Sequence, residues 1–161
     1  MLYTEYQSPI GKLLLAASER ALSGVYFEEH KHFKGMHGWQ RDDDHPVLQQ
    51  TQQQLVAYFA GTRREFDLPL DMAHGTAFQQ LVWQALRSLP YGSTASYLTI
   101  AKSIGNPGAV RAVGAANGRN PISIIVPCHR VIASSGALTG YAGGLNNKVT
   151  LLALEAKSVL S

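Results

Sequence analysis

Cysteine is nearly absent from this sequence, which contains Cys128 and no other cysteine in 161 residues. One cysteine excludes an intramolecular disulfide and any zinc site built on several thiolates. Long apolar runs are also missing: residues 13–17 and 124–127 are among the longest, so no membrane span is predicted. The polar residues Glu5 and Gln7 are not typical of a signal peptide. These absences predict a cytoplasmic protein whose free thiol stays reduced.

Charged residues are sparse, at 16% of the chain, and neither sign dominates. Fourteen lysines and arginines against eleven aspartates and glutamates give a formal charge of +3. This balance is compatible with a polyanionic partner but is too small to require one. The hydrophobic fraction of 45% can form a sizeable core, which argues against a disordered chain.

The first segment, residues 1–30, has the alternation and turn signals of antiparallel strands, and Ser8-Pro9-Ile10-Gly11 is its first turn. Residues 28–44 are polar and include three consecutive aspartates. We therefore expect a hairpin or meander followed by a loop.

A helix follows this loop. His45 and Pro46 are expected to begin it, and Gly61 is a plausible residue to end it. Residues 66–70 resemble one more strand.

The second half begins near Gly75, where Thr76 and Gln79 have the spacing of a capping box. Pro90 and Gly92 are expected to end the helix that starts there. Its apolar stripe at helical spacing consists of Phe78, Leu81, Val82, Ala85, Leu86 and Leu89.

Two short helices are predicted next. The first covers residues 96–104 and ends at Gly105. Asn106 as N-cap and Pro107 at the first helical position are expected to begin the second, over residues 107–117. Two short helices joined by a tight glycine-containing turn are the outline of a helix-turn-helix.

The last part of the chain starts with a β-branched run over residues 122–126. A glycine-rich loop over residues 134–147 and a final helix over about residues 148–158 follow it.

The pattern predicts an α+β fold. A small N-terminal antiparallel sheet domain with a helix is expected over residues 1–73. A mainly helical domain, containing the helix-turn-helix and the Pro-Cys-His-Arg segment, is expected over residues 74–161. The boundary is placed at the break in charge and pattern near residues 70–76.

Cys128 is the first candidate for chemistry, because it lies between Pro127 and the basic pair His129-Arg130. A thiolate forms near neutral pH only beside positive charge or a partner base, and these neighbours could provide either. A buried structural cysteine is an equally good interpretation, since free cysteine is among the most buried residue types. If the segment is extended, His129 cannot face Cys128 directly, because successive side chains point to opposite sides.

Two further titratable residues have simpler interpretations when taken alone. His129 is better interpreted as a satisfied core histidine than as a general base. Glu155 lies among apolar residues of the last helix, where a buried carboxylate would need a partner such as an imidazole N–H. A solvated charge on the helix surface is the better interpretation of Glu155 without further context.

The segment 107–117 is unusual because Arg111 is its one long side chain. Small residues allow a helix to approach a nucleic-acid groove closely, where one arginine can insert. Tight packing against another helix explains the small residues at least as well, but it explains Arg111 less well. The small residues are Gly108, Ala109, Ala112, Gly114, Ala115 and Ala116.

Two neighbouring segments have features of a binding site. Asn120 lies in the polar turn after this helix and can hold the segment that carries Cys128 by hydrogen bonds to its backbone. In the glycine-rich loop four glycines surround Tyr141, which leaves room for a flat ligand beside an aromatic ring. A glycine loop alone is weak evidence for a site.

Four histidines lie in or next to the polar loop of the first half: His30, His32, His37 and His45. Metal binding is one interpretation, but their irregular spacing favours scattered surface histidines. No metal site is predicted.

The run Pro127-Cys128-His129-Arg130-Val131-Ile132 resembles the active-site signature of the O6-alkylguanine-DNA alkyltransferases, also called methylated-DNA–protein-cysteine methyltransferases. Residues 1–73 resemble, less specifically, the family's N-terminal domain, which is ribonuclease H-like. The specific similarity covers about residues 76–155, where the flanking motifs agree in order and spacing: Ser96-Tyr97, Gly105-Asn106-Pro107, Arg111-Ala112-Val113-Gly114, Asn117-Gly118, Asn120-Pro121, Tyr141 and Glu155.

This resemblance implies DNA repair by direct reversal. An alkyl group would move from O6-alkylguanine in double-stranded DNA, and from O4-alkylthymine, to Cys128. The thioether product is chemically stable, so each molecule would react once. The resemblance implies no cofactor, and we expect a monomer in solution.

The resemblance also implies roles in DNA binding. In the family a helix-turn-helix enters the minor groove and the damaged nucleotide is flipped out of the duplex. By position, Arg111 would fill the vacated space, and Tyr97 would contact the adjacent phosphate and protonate the departing guanine at N3. Tyr141 and the backbone of Val131 would hold the flipped base. Further contacts to DNA and substrate are expected from Ala112, Gly114, Asn117, Gly136 and Thr139.

The family's proton relay would run from Glu155 to His129 and then, through a water, to Cys128. Asn120 is expected to support this network. The water answers the difficulty that two adjacent residues cannot face each other in an extended segment.

One departure from the family concerns metal, because some relatives bind a structural zinc in the N-terminal domain through cysteines and histidines. A chain with one cysteine cannot repeat that site. Alkyltransferase-like relatives that only bind lesions lack the reactive cysteine, and the presence of Cys128 argues against that activity.

Two other functions are compatible with parts of the sequence. A helix-turn-helix DNA-binding or lesion-sensing module with a buried, unreactive cysteine is the alternative, but it would not need Cys128, His129 and Glu155 together. A cysteine hydrolase fits poorly, because it would leave the helix that carries Arg111 unexplained.

Overall fold

Three antiparallel strands form the first part of the chain, in a computed structural model that describes residues 1–160. They are β1 (Leu2–Ser8), β2 (Gly11–Ala17) and β3 (Leu22–Phe27). β1 and β2 pair along their whole length, and Gly11 adopts the positive φ of +110° that their tight turn requires. The predicted meander is confirmed.

The polar loop contains a fourth strand that the sequence did not predict, β4 (Gln40–Arg41). It pairs with β1 in parallel, so the sheet has the order β3-β2-β1-β4 and is mixed, not purely antiparallel. Part of the acidic run holds this strand in place. Asp43 accepts hydrogen bonds from Thr4 on β1 at 2.7 Å and from Arg41 on β4 at 2.8 Å.

Helix α1 (Pro46–Phe59) packs on the sheet and begins as predicted. The His45 side chain accepts a hydrogen bond from the Val47 N–H, and Gly61 has a φ of +78° just after the helix end. The predicted strand over residues 66–70 is wrong. The segment makes one isolated parallel bridge, between Leu70 and Leu22, because Pro69 has no N–H to donate to a longer ladder.

Helix α2 (Ala77–Arg87) begins with the predicted capping box between Thr76 and Gln79. Its buried face is different from the predicted stripe: Leu81 is 55% exposed, whereas Trp83 is buried with Val82 and Leu86. The Trp83 indole N–H donates to the Ala116 carbonyl at 2.8 Å and so ties α2 to the helix-turn-helix.

The helix-turn-helix consists of α3 (Tyr97–Ser103) and α4 (Val110–Gly118). The predicted start of the second helix at Asn106-Pro107 is wrong by three residues. Asn106 instead closes a turn, in which its carbonyl accepts from the Ala109 N–H at 3.0 Å, and Ala109 is the N-cap. Arg111 therefore lies in the first turn of α4.

The segment after α4 turns sharply where a β-branched run suggested extended chain. Ile124 has a φ of +73°, in the left-handed region that β-branched residues rarely adopt. Cys128–Arg130 then form a short 3-10 helix. A two-residue strand, Val131–Ile132, follows and pairs in parallel with Ala95–Ser96.

Helix α5 (Leu145–Leu160) begins three residues before its predicted start, directly after Gly144 with its φ of +98°. None of the helices in residues 1–160 is both long and apolar enough to cross a bilayer. Within the same residues, no cluster of three or more histidine, cysteine, aspartate or glutamate side chains has the arrangement of a metal site.

Gly143 supports a stability prediction, because a Cβ at this position would lie 2.1 Å from Cδ2 of the Phe27 ring. Tyr141 packs edge-on against the same ring, with centroids 5.7 Å apart. We expect Gly143→Ala to lower the free energy of unfolding by about 1–3 kcal/mol, the usual effect of overpacking. Thermal unfolding followed by circular dichroism measures this change.

The control is Gly118→Ala, where an added Cβ would have no neighbour within 4 Å. Its stability is expected to stay within about 0.5 kcal/mol of the wild type, because the added methyl group crowds no other atom. Equal melting temperatures for the two variants would contradict the steric interpretation.

Candidate active site

Cys128 is the first residue of the short 3-10 helix and is 3% exposed. Burial raises the pKa of its thiol from 9.0 to about 11. Asn120, Lys148 and Tyr141 act in the opposite direction and keep the pKa of Cys128 from rising further. The environment is therefore closed to solvent but contains groups that stabilise a thiolate.

His129 lies next to Cys128 and is fully buried. Its Nε2 is 2.6 Å from Oε2 of Glu155. Because a carboxylate can only accept, Nε2 carries the proton of this bond, and Nδ1 is then the basic nitrogen. Nδ1 has no hydrogen-bond partner within the described part of the chain. Burial lowers the pKa of His129, against the opposing effect of Glu155.

Glu155 is 1% exposed, so the interpretation of this residue as a solvated helix charge is wrong. Arg130 donates to both carboxylate oxygens, with Nε to Oε1 at 2.8 Å and Nη2 to Oε2 at 3.0 Å. Tyr58 donates to Oε2 at 2.7 Å and the Gly92 N–H donates to Oε1 at 3.2 Å. Burial alone would raise the pKa of Glu155, but the bonds from His129 and Arg130 outweigh it and hold this pKa well below its usual range.

Asn120 fixes the sharp turn that precedes the cysteine. Its side-chain oxygen accepts from the Ile122 N–H at 3.0 Å, and its amide donates to the Val126 carbonyl at 2.8 Å. Asn117, on α4, donates to the Cys128 carbonyl at 3.4 Å. The end of the helix-turn-helix is thereby hydrogen-bonded to the segment that carries the thiol.

Lys148 holds the glycine-rich loop and is completely buried. Its Nζ donates to the carbonyls of Val131 at 2.7 Å and Thr139 at 2.8 Å. Gly136 has a φ of +85° and closes a turn in which its N–H donates to the Ala133 carbonyl at 2.9 Å. The loop is thus held near Cys128 by a charged side chain from α5.

Tyr97 lies between α4 and the glycine-rich loop. Its hydroxyl is 3.3 Å from Oγ1 of Thr139, and a Cβ at Gly114 would lie 3.9 Å from its ring. Arg111 and Ala112 are exposed on α4. The structure therefore brings His129, Asn117, Asn120 and Tyr141 to the segment that carries the thiol, with Glu155 bonded to His129. It places Tyr97, Thr139 and Gly114 together nearer the surface.

The sequence did not predict three sets of hydrogen bonds in the site. Lys148 donates to the carbonyls of Val131 and Thr139, and both Arg130 and Tyr58 donate to Glu155. Lys148 had a signal, since it precedes Glu155 by seven residues and so lies on the same helix face two turns earlier. Arg130 was expected only to add positive charge. Tyr58 had no signal, because it continues the apolar stripe of Leu48 and Leu55 at helical spacing, and an aromatic residue in such a stripe is indistinguishable from core.

Two protein families match the sequence. Residues 77–157 match the family described as 6-O-methylguanine DNA methyltransferase, DNA binding domain. Residues 1–72 match the family described as 6-O-methylguanine DNA methyltransferase, ribonuclease-like domain.

Whole-chain relatives agree with these matches. The methylated-DNA–protein-cysteine methyltransferase of Mycobacterium leprae is 51% identical over 154 residues, which cover 96% of this chain and 92% of that protein. The protein of the same name from Methanosarcina acetivorans is 50% identical over 156 residues, covering 96% and 98%.

The fold resembles a solved structure of similar sequence. The crystal structure of Mycobacterium tuberculosis OGT in complex with DNA matches with a TM-score of 0.91 and 50% identity, covering 98% of this chain and 94% of that one. The alignments span both halves of the sequence, and the chain belongs to the 6-O-methylguanine DNA methyltransferase family.

Proposed function

We propose that this protein repairs DNA by transferring the alkyl group of O6-alkylguanine to its own Cys128. The observation that carries the proposal is the single thiol of the chain, Cys128, which is buried next to His129 in the sequence. Nε2 of His129 is bonded to the buried carboxylate of Glu155 at 2.6 Å. A lesion-binding module would not need this arrangement, so the alternative without alkyl transfer is not favoured. O4-alkylthymine is proposed as a second substrate.

Double-stranded DNA is the proposed partner. A relative with 50% identity has been crystallised in complex with DNA, and the fold of this chain is the same. The exposed side of α4 presents Arg111 and Ala112 to solvent. We propose that this helix enters the minor groove and that Arg111 occupies the space of the flipped nucleotide.

The reaction begins with removal of the thiol proton. With a pKa of about 11, only about one thiol in ten thousand would ionise unaided near pH 7. His129 Nδ1 is the proposed base and takes the proton through a bridging water, while Glu155 stabilises the imidazolium that results. Nδ1 is the nitrogen proposed to take the proton because Nε2–H already donates to the Glu155 carboxylate.

Alkyl transfer then proceeds as an in-line displacement. The Cys128 sulfur forms a bond to the alkyl carbon as the bond from that carbon to guanine O6 breaks. The electron pair of the broken bond moves into the guanine ring, which Tyr97 protonates at N3 in the proposed mechanism. The thioether is stable, so each molecule reacts once and needs no cofactor.

The flipped base is proposed to lie against the glycine-rich loop. Tyr141, Gly136, Thr139 and the backbone of Val131 would contact it, in the position that Lys148 maintains through its bonds to the carbonyls of Thr139 in the loop and of Val131 in the preceding strand. Ala112, Gly114 and Asn117 are proposed to complete the DNA surface, with Asn117 transmitting the position of α4 to the cysteine segment.

The remaining features of the proposal concern the whole chain. We propose that residues 1–73 and 74–161 are its two domains and that it acts as a monomer. A cytoplasmic location is proposed because the reaction consumes a free thiol, which a reducing compartment preserves.

Removing the thiol gives the first functional test. Cys128→Ala should abolish alkyl transfer while leaving binding of duplex DNA nearly unchanged, because α4 does not depend on the sulfur. Intact-protein mass spectrometry after incubation with a duplex containing one O6-methylguanine should show a gain of one CH2 per wild-type chain and none for the variant. A matching loss of DNA affinity in the variant would argue against the assigned role.

The role of Arg111 predicts a dependence on substrate. Arg111→Ala should slow repair of the duplex by about tenfold to a hundredfold, since an extruded base costs a few kcal/mol to hold out of the stack. Reaction with free O6-benzylguanine should change little. Arg20→Ala, which removes an exposed arginine in the turn before β3, is the charge-matched control. Equal losses on both substrates would exclude the role in base flipping.

The role of His129 predicts a change in pH dependence. In His129→Gln the thiolate must form by ordinary ionisation, so the rate should rise about tenfold per pH unit from about pH 7 to pH 10, below the thiol pKa of about 11. The wild type should vary much less over this range, and at neutral pH it should be faster by a factor on the order of a hundred. His37→Gln, in the exposed loop, should behave as the wild type. Parallel profiles for all three proteins would rule out His129 as the base.

A further inference from the structure

Tyr58 connects the N-terminal half of the chain to the candidate active site. It lies on α1, and its hydroxyl donates to Oε2 of Glu155, 97 positions later in the sequence, at 2.7 Å. Both side chains are at most 1% exposed. The proposed mechanism does not use this hydrogen bond.

The bond matters because Tyr58 and His129 donate to the same oxygen. Oε2 of Glu155 receives the Tyr58 hydroxyl at 2.7 Å and His129 Nε2 at 2.6 Å. A donor to a carboxylate favours its charged form and lowers its proton affinity. The Tyr58 hydroxyl therefore weakens the attraction of Oε2 for the imidazole proton.

We propose that Tyr58 is a positioning residue through which the N-terminal half sets the proton affinity of the His129–Glu155 pair. The proposal rests on the alkyl-transfer function proposed above. Tyr58 does not touch the substrate or the sulfur in this role. It acts through Glu155 and holds His129 basic enough to take a proton yet deprotonated at neutral pH.

The effect of the Tyr58 hydroxyl can be isolated, because Tyr58→Phe removes this hydroxyl and changes no charged group. The ring of Tyr58 packs against Phe59 and Phe66, with centroids 5.3 and 5.5 Å away, and phenylalanine preserves both contacts. Four other titratable or charged groups act on the pair or on Tyr58: Arg130, Lys148, Tyr141 and Tyr91. Cys128 precedes His129 in the same 3-10 helix and acts on Tyr141 and Lys148.

The test is the pH profile of methyl transfer in Tyr58→Phe. Without the hydroxyl, Oε2 is a stronger acceptor, so His129 retains its proton to higher pH. We expect the acid limb of the profile to move up by roughly half to one pH unit. The rate below that limb then falls by about threefold to tenfold, and the plateau rate stays within about twofold of the wild type.

Tyr91→Phe is the matched control. The Tyr91 ring lies edge-on to Tyr58 with centroids 6.1 Å apart, and its hydroxyl is buried with no hydrogen-bond partner in residues 1–160. The variant removes a buried hydroxyl from the same cluster without touching Glu155. Its profile should coincide with that of the wild type.

A second variant covers the case in which Tyr58→Phe is too unstable to assay. Replacement of Tyr58 by 3,5-difluorotyrosine keeps the shape and makes the hydroxyl a stronger donor. The acid limb should then move in the opposite direction, to lower pH. A loss of rate that is uniform across pH in either variant, or an unshifted limb in both, overturns the proposal.

Proton NMR separates this inference from the proposed function. The His129 Nε2 proton, in a bond of 2.6 Å to a carboxylate, should resonate far downfield. It should move further downfield in Tyr58→Phe and stay unchanged in Tyr91→Phe, whether or not the protein transfers alkyl groups. An unchanged resonance in Tyr58→Phe contradicts the inference, whereas a wild type that gains no CH2 on Cys128 contradicts the function alone.

Discussion

The buried carboxylate of Glu155 is the constraint on which the rest of the site depends. It accepts hydrogen bonds from α1, from the turn after α2 and from the 3-10 helix, and it is itself carried by α5. A buried charge that loses one of its partners costs about 3–5 kcal/mol. The two halves of the chain must therefore be docked before this charge is satisfied. The proton transfer proposed for His129 consequently depends on the assembly of the whole fold and not only on the neighbouring residue in the sequence.

Burial opposes formation of the thiolate that the proposed role requires, because it raises the pKa of Cys128 to about 11. A thiol that stays protonated is protected from oxidation and from adventitious alkylation, since the thiolate is the reactive form. The cost is that a base must remove the proton at the moment of reaction. His129, the proposed base, is kept neutral by burial and oriented by Glu155. The same burial thus protects the thiol and keeps the proposed base in its neutral form.

The sequence predicted those features that depend on local signals. The first three strands, the capping box at Thr76 and the helix end at Gly105 follow from turn and cap chemistry between close neighbours. The turn at Ile124 was missed because Asn120 imposes it through hydrogen bonds to backbone on both sides. In the site, the family signature indicated the residues around the cysteine. The hydrogen-bond donors that reach Glu155 from other parts of the chain could not be predicted. Tyr58 lies in an apolar stripe, and nothing in the sequence around it marks its hydroxyl as a donor to Glu155.

A single reaction per molecule explains why such a closed site is tolerable. An enzyme that turns over must release its product and restore its nucleophile, which requires the site to open and water to enter. A thioether on Cys128 needs neither step, so Lys148 can hold the loop in place through its hydrogen bonds to the carbonyls of Val131 and Thr139. The site must still open once, so that the proposed flipped base can enter. Helix α4 is hydrogen-bonded through Asn117 to the backbone carbonyl of Cys128. The proposed DNA-binding helix is therefore in direct contact with the segment that carries the sulfur.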